Sequence, residues 1–361
     1  MHLDELETPA LAIDLDIMDR NLHRAAAYAH DHNLRIRPHT KTHKIPELAV
    51  RQLSLGAAGI TVAKVGEAEV MMKASPRDLL VFYPVLGESK LRRLSKLAHR
   101  TRVTVALDNL VAAAGLSEAA VGNQVEFGVL AELDVGMGRA GTQSPEELAA
   151  LVRDIVRLPN LRFDGIAFYP GHIQKCGKEA ESAMSRISAL VDASVERLHA
   201  QGTAPAIVSG GSTPTLYQSH LIPMMNELRP GTYIFNDRNT MASGACGISD
   251  CAAFVLATVV STARPGQALI DGGSKTFSSD RSTLPGFGEV METTGVLFSN
   301  MNEEHGYLDT RASDRSFSVG DRLRIVPNHI CAAMNLHERV YGFRGGEVEC
   351  VWEVEGRGKL Q

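Results

Sequence analysis

No apolar run in this chain approaches the roughly 20 residues needed to span a bilayer, so no membrane-crossing helix is expected. Basic residues are not in excess: 37 Lys and Arg against 42 Asp and Glu give a formal charge of −5. That balance argues against broad nucleic-acid binding. Cysteine is sparse. The five residues, Cys176, Cys246, Cys251, Cys331 and Cys350, are odd in number and scattered in spacing. They do not read as a disulfide framework, and they suit a reducing cytoplasm. The opening Met1-His2-Leu3-Asp4-Glu5 lacks the basic start and apolar core of a secretory leader. Internal repeats and low-complexity tracts are also missing.

What remains is ordinary globular material. The chain has 361 residues, of which 44% are hydrophobic and 22% charged. This is enough for one large domain and a smaller one. Up to about residue 240, short β-rich runs alternate with longer amphipathic stretches, the pattern of repeated βα units. The expected strands are Leu34–Pro38, Gly59–Val62, Leu79–Tyr83, Arg102–Leu107, Val125–Leu133, Phe163–Phe168, Ala206–Ser209 and Glu227–Phe235. Helices are expected at Lys64–Ala74, Pro145–Arg157 and Glu179–Ala200. The last carries Met184, Ile187, Leu190, Val191 and Val195 at the spacing of one buried face. Eight such strands predict a closed (β/α)₈ barrel of the TIM type. An open doubly wound sheet is the rival, but no glycine fingerprint follows the first strand.

After about residue 250 the texture changes. Phe254–Val260, Ala268–Asp271, Val290–Phe298, Leu323–Val326 and Val348–Val354 read as strands separated by Gly, Pro, Asp and Ser. This predicts a mostly antiparallel β domain. Pro9–Asp14 reads as a strand that joins it. The expected division is a barrel over residues 15–245 and a β domain formed by 1–14 with 246–361.

Chemistry concentrates where barrel strands end. Arg37-Pro38-His39-Thr40-Lys41-Thr42-His43-Lys44 follows the first barrel strand. Crowded cations there would relieve their repulsion by depressing a lysine's pKa, which makes its amine nucleophilic. An exposed basic loop, binding phosphate or nothing, is the plainer reading. Ser209-Gly210-Gly211-Ser212-Thr213-Pro214-Thr215 also follows a strand, and paired glycines with hydroxyls suit a phosphate. Its plain alternative is a capped loop. Asp134-Val135-Gly136-Met137-Gly138-Arg139 sets one arginine among glycines, and Tyr169-Pro170-Gly171-His172 supplies an aromatic ring and an imidazole. In a parallel barrel all four would converge on one mouth.

These segments, with Glu227-Leu228-Arg229-Pro230-Gly231-Thr232-Tyr233, resemble the D-threonine aldolase/D-serine dehydratase family. That family belongs to the alanine-racemase-like, fold-type III pyridoxal-phosphate enzymes. The resemblance spans nearly the whole chain. It implies that Lys41 carries pyridoxal 5'-phosphate and exchanges the substrate's α-proton. It further implies that Arg139 lies near the cofactor's phenolic oxygen and Tyr169 and His172 near its ring. Ser209, Gly210, Gly211, Ser212 and Thr213 would hold the phosphate, with Tyr233 also in the cofactor set. A D-amino acid substrate and a homodimer are implied in the same way.

In the second domain, Pro327-Asn328-His329-Ile330-Cys331 sets His329 and Cys331 two apart. On an extended strand both would share a face and could grip one ion. Alone, His-x-Cys is a weak signal. The resemblance implies a divalent metal here, with His-x-Cys typical of the dehydratases and His-x-Asp of the aldolases. A thiolate favours Zn²⁺, and a carboxylate would favour Mn²⁺ or Mg²⁺. The expected activity is therefore dehydration of D-β-hydroxy amino acids to a 2-oxo acid and ammonia. Retro-aldol cleavage to glycine and an aldehyde is the alternative. A racemase, or a non-catalytic cofactor carrier, would need no metal pair. Asp271–Lys275 reads as a hairpin turn. Glu303-Glu304-His305-Gly306 reads equally as a solvated turn or, by resemblance, as a segment near the metal.

Overall fold

The computed structural model describes all 361 residues. The chain begins with strand β1 (Ala10–Asp14) and helix α1 (Leu15–Asp31). Eight strands follow: β2 (Arg35–Ile36), β3 (Ile60–Val62), β4 (Asp78–Val81), β5 (Arg102–Leu107), β6 (Phe127–Leu133), β7 (Leu161–Phe168), β8 (Ile207–Gly210) and β9 (Glu227–Leu228). The helices between them are α2 (Pro46–Ser54), α3 (Val65–Met71), α4 (Glu88–Ala98), α5 (Leu110–Gly122), α6 (Pro145–Ile155) and α7 (Lys178–Ala200).

All eight strands are parallel, in the order β2-β9-β8-β7-β6-β5-β4-β3. The sheet curls until its end strands meet. His39 bridges Thr61 in parallel, and the Ala58 and Thr61 amides donate to Ile36 and Pro38 at 2.9 and 2.8 Å. This is the expected (β/α)₈ barrel. Both faces of its wall are covered, so β6 buries all seven residues, a requirement that explains its near-continuous apolar sequence. Local chemistry sets the helix starts. Asn109 Oδ1 accepts from the Ala112 amide at 2.9 Å to cap α5, and Ser144 caps α6 ahead of Pro145. Helix α7 buries Met184, Ile187, Val191, Val195 and Leu198, while Leu190 is only half buried.

The last barrel strand is shorter than its sequence suggests. The run expected over Glu227–Phe235 pairs only at Glu227 and Leu228. Pro230 has no amide to donate, and Thr232–Ile234 winds into a 3₁₀ turn.

The second sheet contains β1 with β10 (Ala253–Ser261), β11 (Gln267–Ile270), β12 (Gly288–Val290), β13 (Leu297–Met301), β14 (Gly306–Asp309), β15 (Arg322–Pro327), β16 (Arg339–Arg344) and β17 (Glu347–Glu353). Its main path is β13-β14-β11-β10-β1-β16-β17, with β15 also on β10 and β12 on β15. Every pair is antiparallel except β1 with β16. Only three short helices accompany it: α8 (Arg238–Ala242), α9 (Ser274–Phe277) and α10 (Ile330–Met334). Its core packs Leu6, Ala12, Phe254, Leu256, Val326 and Phe343 together.

Two sequence expectations change here. The run Val290–Phe298 is two strands, because the chain turns between them through Gly295 at φ +73°. Asp271–Lys275 is no hairpin turn: it leads into α9, and the exposed Lys275 pairs with Glu304 at 2.7 Å. Glu303–Gly306 forms the tip of the β13–β14 hairpin, closed by the Asn302 amide on the His305 carbonyl at 2.9 Å.

The chain divides into two compact units. One comprises Met1–His23, Thr42–Ile45 and Thr232–Gly358; the other comprises Arg24–Lys41, Pro46–Gly231 and Lys359–Gln361. The units exchange at several points along the chain, one of them between Gly231 and Thr232. Helix α1 is shared, and Lys41 and Thr42 are consecutive residues assigned to different units.

Candidate active site

In the barrel unit, parallel topology brings the ends of all eight strands to one side, the side where barrel enzymes keep their reactive groups. Lys41 stands in the 3₁₀ turn Thr40–Thr42 after β2. The segment leading to it is pinned on both flanks. The His39 amide donates to the Pro230 carbonyl at 2.9 Å, and the Thr40 hydroxyl donates to the Thr61 carbonyl at 3.0 Å. Lys41 is half-buried, and its amide lies 3.4 Å from His39 Nδ1.

The β6 and β7 loops interlock. Asp134 accepts from the amides of Gly136, Met137 and Gly138 at 2.8 to 3.2 Å, which fixes the loop that carries Arg139. The Arg139 guanidinium lies 4.9 Å from the Tyr169 ring centre. A Cβ on Gly136 would come within 3.2 Å of the His172 ring. Arg139 thus meets Tyr169, and His172 lies against the loop that carries Arg139.

The loop after β8 is packed closely around its glycines. A Cβ on Gly210 would sit 2.3 Å from the Phe168 ring, and Gly211 has φ +89°. Ser212 and Thr213 are buried beside them, with Ser212 Oγ 3.0 Å from Thr215 Oγ1. Ser209 points elsewhere: its hydroxyl donates to Glu227 Oε1 at 2.7 Å. Tyr233 is buried in the other unit.

The burial of several charges escaped the sequence reading. Arg229, just past β9, donates through Nη2 to the Phe168 carbonyl at 2.7 Å and lies 4.1 Å from the Phe82 ring centre. Its Nη1 is buried and has no partner. Burial pulls Arg229 down to about 10, against the opposing pull of Glu227 and Glu132. Burial likewise raises Glu132 on β6, although Arg229 and Arg139 oppose that rise. Arg37 closes the group through Asp78 at 2.7 Å and Glu227 at 3.0 Å. One detectable signal existed, a lone glutamate in the otherwise apolar Phe127–Leu133. An orphaned buried donor, and a loop with a positive-φ glycine beside two buried hydroxyl residues, both fit an anionic aromatic cofactor with a phosphate arm.

In the β unit, His329 and Cys331 are neighbours in space, but not on a strand. Strand β15 ends at Pro327, His329 is extended at φ −139°, and Cys331 lies in the first turn of α10. The turn starts where Asp237 Oδ2 accepts the Ile330 amide at 3.1 Å, so capping brings the two side chains together. The Cys331 sulfur is 3.2 Å from the Thr42 hydroxyl and 3.6 Å from that of Thr232. Burial would raise the Cys331 thiol, but its bond to His329 and that imidazole's charge outweigh burial and lower it. The reciprocal effect operates at His329: burial pulls it down, while Cys331, Asp237 and Asp280 carry it up to about 10. His329 keeps 39% of its side-chain surface open, so the imidazole is reachable from solvent. A thiolate beside an imidazole is a donor set suited to a soft divalent cation. No third His, Cys, Asp or Glu gathers with them into a metal cluster.

Fold and site together define a pyridoxal-phosphate barrel enzyme with an appended β domain. The alanine racemase N-terminal domain pattern matches residues 13–239, and the putative serine dehydratase domain pattern matches 252–343. The chain is 35% identical to a 3-hydroxy-D-aspartate aldolase of Paracoccus denitrificans over 370 residues, covering 99% of this chain and 94% of that one. The crystal structure of D-threonine aldolase from Filomicrobium marinum superposes with a TM-score of 0.94 at 32% identity, covering 99% and 98% of the two chains. D-threo-3-hydroxyaspartate dehydratase from Delftia sp. HT23 superposes at 0.90 and 31% identity, covering 98% of each. A cysteine-to-alanine mutant of D-threo-3-hydroxyaspartate dehydratase has been solved in a metal-free form. The chain belongs to the D-threonine aldolase/D-serine dehydratase family of alanine-racemase-like, fold-type III pyridoxal-phosphate enzymes, and it is a lyase. None of its helices is long and apolar enough to cross a membrane.

Proposed function

We propose that this lyase removes water from D-configured β-hydroxy amino acids, with pyridoxal phosphate on Lys41 and a soft divalent metal on His329 and Cys331. The observation that carries this reading is the Cys331 sulfur, lowered in pKa beside His329 and flanked by two threonine hydroxyls. The cofactor supplies an electron sink for the pair left at the α-carbon. Lys41 Nζ holds it and takes the α-proton. Gly210, Gly211, Ser212 and Thr213 bind its phosphate, and Arg139 and the unpaired Nη1 of Arg229 offer donors to its ring. A divalent metal held by His329 and Cys331 would supply Lewis acidity to a departing β-hydroxyl. That a dehydratase relative has been solved in a metal-free form supports a metal as part of this chemistry.

Retro-aldol cleavage is the second reading, favoured by the 35% identity to an aldolase. Incubating the purified enzyme with D-threo-3-hydroxyaspartate, D-serine and D-threonine, and assaying ammonia and glycine, separates the two. Ammonia in excess is expected, with no turnover of the L-enantiomers. Glycine in excess would replace dehydration with cleavage. Lys41→Ala should lose the cofactor's visible absorption and lower kcat by about 10²–10⁴-fold.

A further inference from the structure

The carboxylate of Asp280 lies outside every motif that the sequence singled out. Its Oδ2 is 2.6 Å from His329 Nδ1. A carboxylate can only accept, so Nδ1 carries the proton of this bond, and Nε2 is the ring nitrogen left to face an ion once its own proton is given up.

The contact is built from below. Asn328, directly before His329, is buried, with 1% of its surface exposed. Its Nδ2 donates to the Asp280 carbonyl at 3.0 Å and to the Gly286 carbonyl at 2.9 Å, while its Oδ1 accepts from Arg238 Nη1 at 3.1 Å. Arg238 is held in turn by Glu289 at 2.9 Å and by the Pro285 carbonyl at 2.8 Å. The residue before the imidazole therefore fastens the very loop that delivers a carboxylate to it. A surface ion pair would not need a fully satisfied buried amide behind it. A ligand histidine does need such support, because its second nitrogen must be fixed for the first to face the ion.

We propose that Asp280 is the positioning residue of the metal site, fixing the ring orientation and tautomer of His329 so that Nε2 is presented to the cation. This rests on the metal reading of His329 and Cys331 given above. Asp280 acts through the imidazole it contacts.

The test uses the full-length enzyme carrying its cofactor, stripped of metal and titrated with zinc against a chromophoric chelator. Asp280→Ala should bind zinc about 10–100-fold more weakly. Asp280→Asn should fall between that variant and the parent, because its amide oxygen still accepts the Nδ1 proton without the charge. Cobalt loaded in place of zinc should give shifted visible bands in Asp280→Ala, since the ring is free to reorient; a residue with a purely structural role would leave these bands alone. His329→Ala is the control. If it loses zinc while both Asp280 variants keep parental affinity and parental cobalt bands, the positioning role is overturned and the metal reading stands. If His329→Ala keeps zinc at parental affinity, the metal reading falls and the positioning role falls with it.

Discussion

At the residue scale, the candidate site depends on side chains that are absent as much as on those present. Gly210 ends β8 where a methyl group would lie 2.3 Å from the Phe168 ring and 2.8 Å from the Met225 sulfur. Both neighbours are buried, so neither has room to retreat. Gly210→Ala should destabilise the protein by about 1–3 kcal/mol through overpacking. It should also weaken pyridoxal phosphate binding, because the shifted strand end carries Gly211 and Ser212. Chemical denaturation and cofactor titration check the two effects. Unchanged stability and unchanged cofactor affinity would show that the loop relaxes freely and is no cradle. The glycines were legible in the sequence as a motif. The collision that makes Gly210 necessary was not, because Phe168 is 42 residues away and meets it only across the β7–β8 pair.

At the element scale, three adjacent strands share one buried carboxylate. Asp164 on β7 reaches across β6 to β5, where Thr104 donates to it at 3.1 Å. Arg102 and Arg162 bind it at 2.8 and 2.7 Å. The crossing is open because the β6 residue between them is Gly128, whose Cβ would sit 1.9 Å from Asp164 Oδ2. Burial works against the charge, but the two arginines outweigh it and hold Asp164 below the usual aspartate range. A depressed folded value means that the contribution is complete above the unfolded value near 3.8 and is lost as pH falls through the lower folded one. Asp164→Asn should cost about 1–3 kcal/mol at neutral pH, kept modest by arginines that are about two-fifths exposed. Below pH 4 the variant should lose stability less steeply than the parent, as urea midpoints measured across pH would show. Parallel acid limbs would remove Asp164 from the account.

At the scale of the whole molecule, the two proposed cofactors belong to different compact units, Lys41 to one and the His329–Cys331 pair to the other. Removal of metal should therefore abolish turnover and leave the visible band of the bound pyridoxal phosphate in place. Zinc should restore activity better than magnesium, because a sulfur donor prefers the softer ion. Full activity in a verified metal-free preparation would reject the metal's part in the reaction. Loss of the visible band together with the metal would show that the two sites are not independently loaded.

The sequence by itself determined most of the architecture, because period and punctuation are local. Alternating βα texture, the strand cores within a few residues, and the change to antiparallel texture after residue 250 follow from neighbours along the chain. So does the recruitment of β1 to the second sheet, signalled by a strand-like run ahead of the first barrel helix. Local reading failed where partners are distant. Pairing cut the run Glu227–Phe235 to two residues, and Asp237 turned the expected extended His329–Cys331 segment into a capped helical turn. Arg229 was legible only as part of a motif, Glu132 only as a lone charge in an apolar run, and Asp280 looked like an ordinary charge. Only the tertiary structure buried the first two among each other and set the third against an imidazole 49 residues away, because the cost of burying charge falls on the folded chain and nowhere in the local pattern.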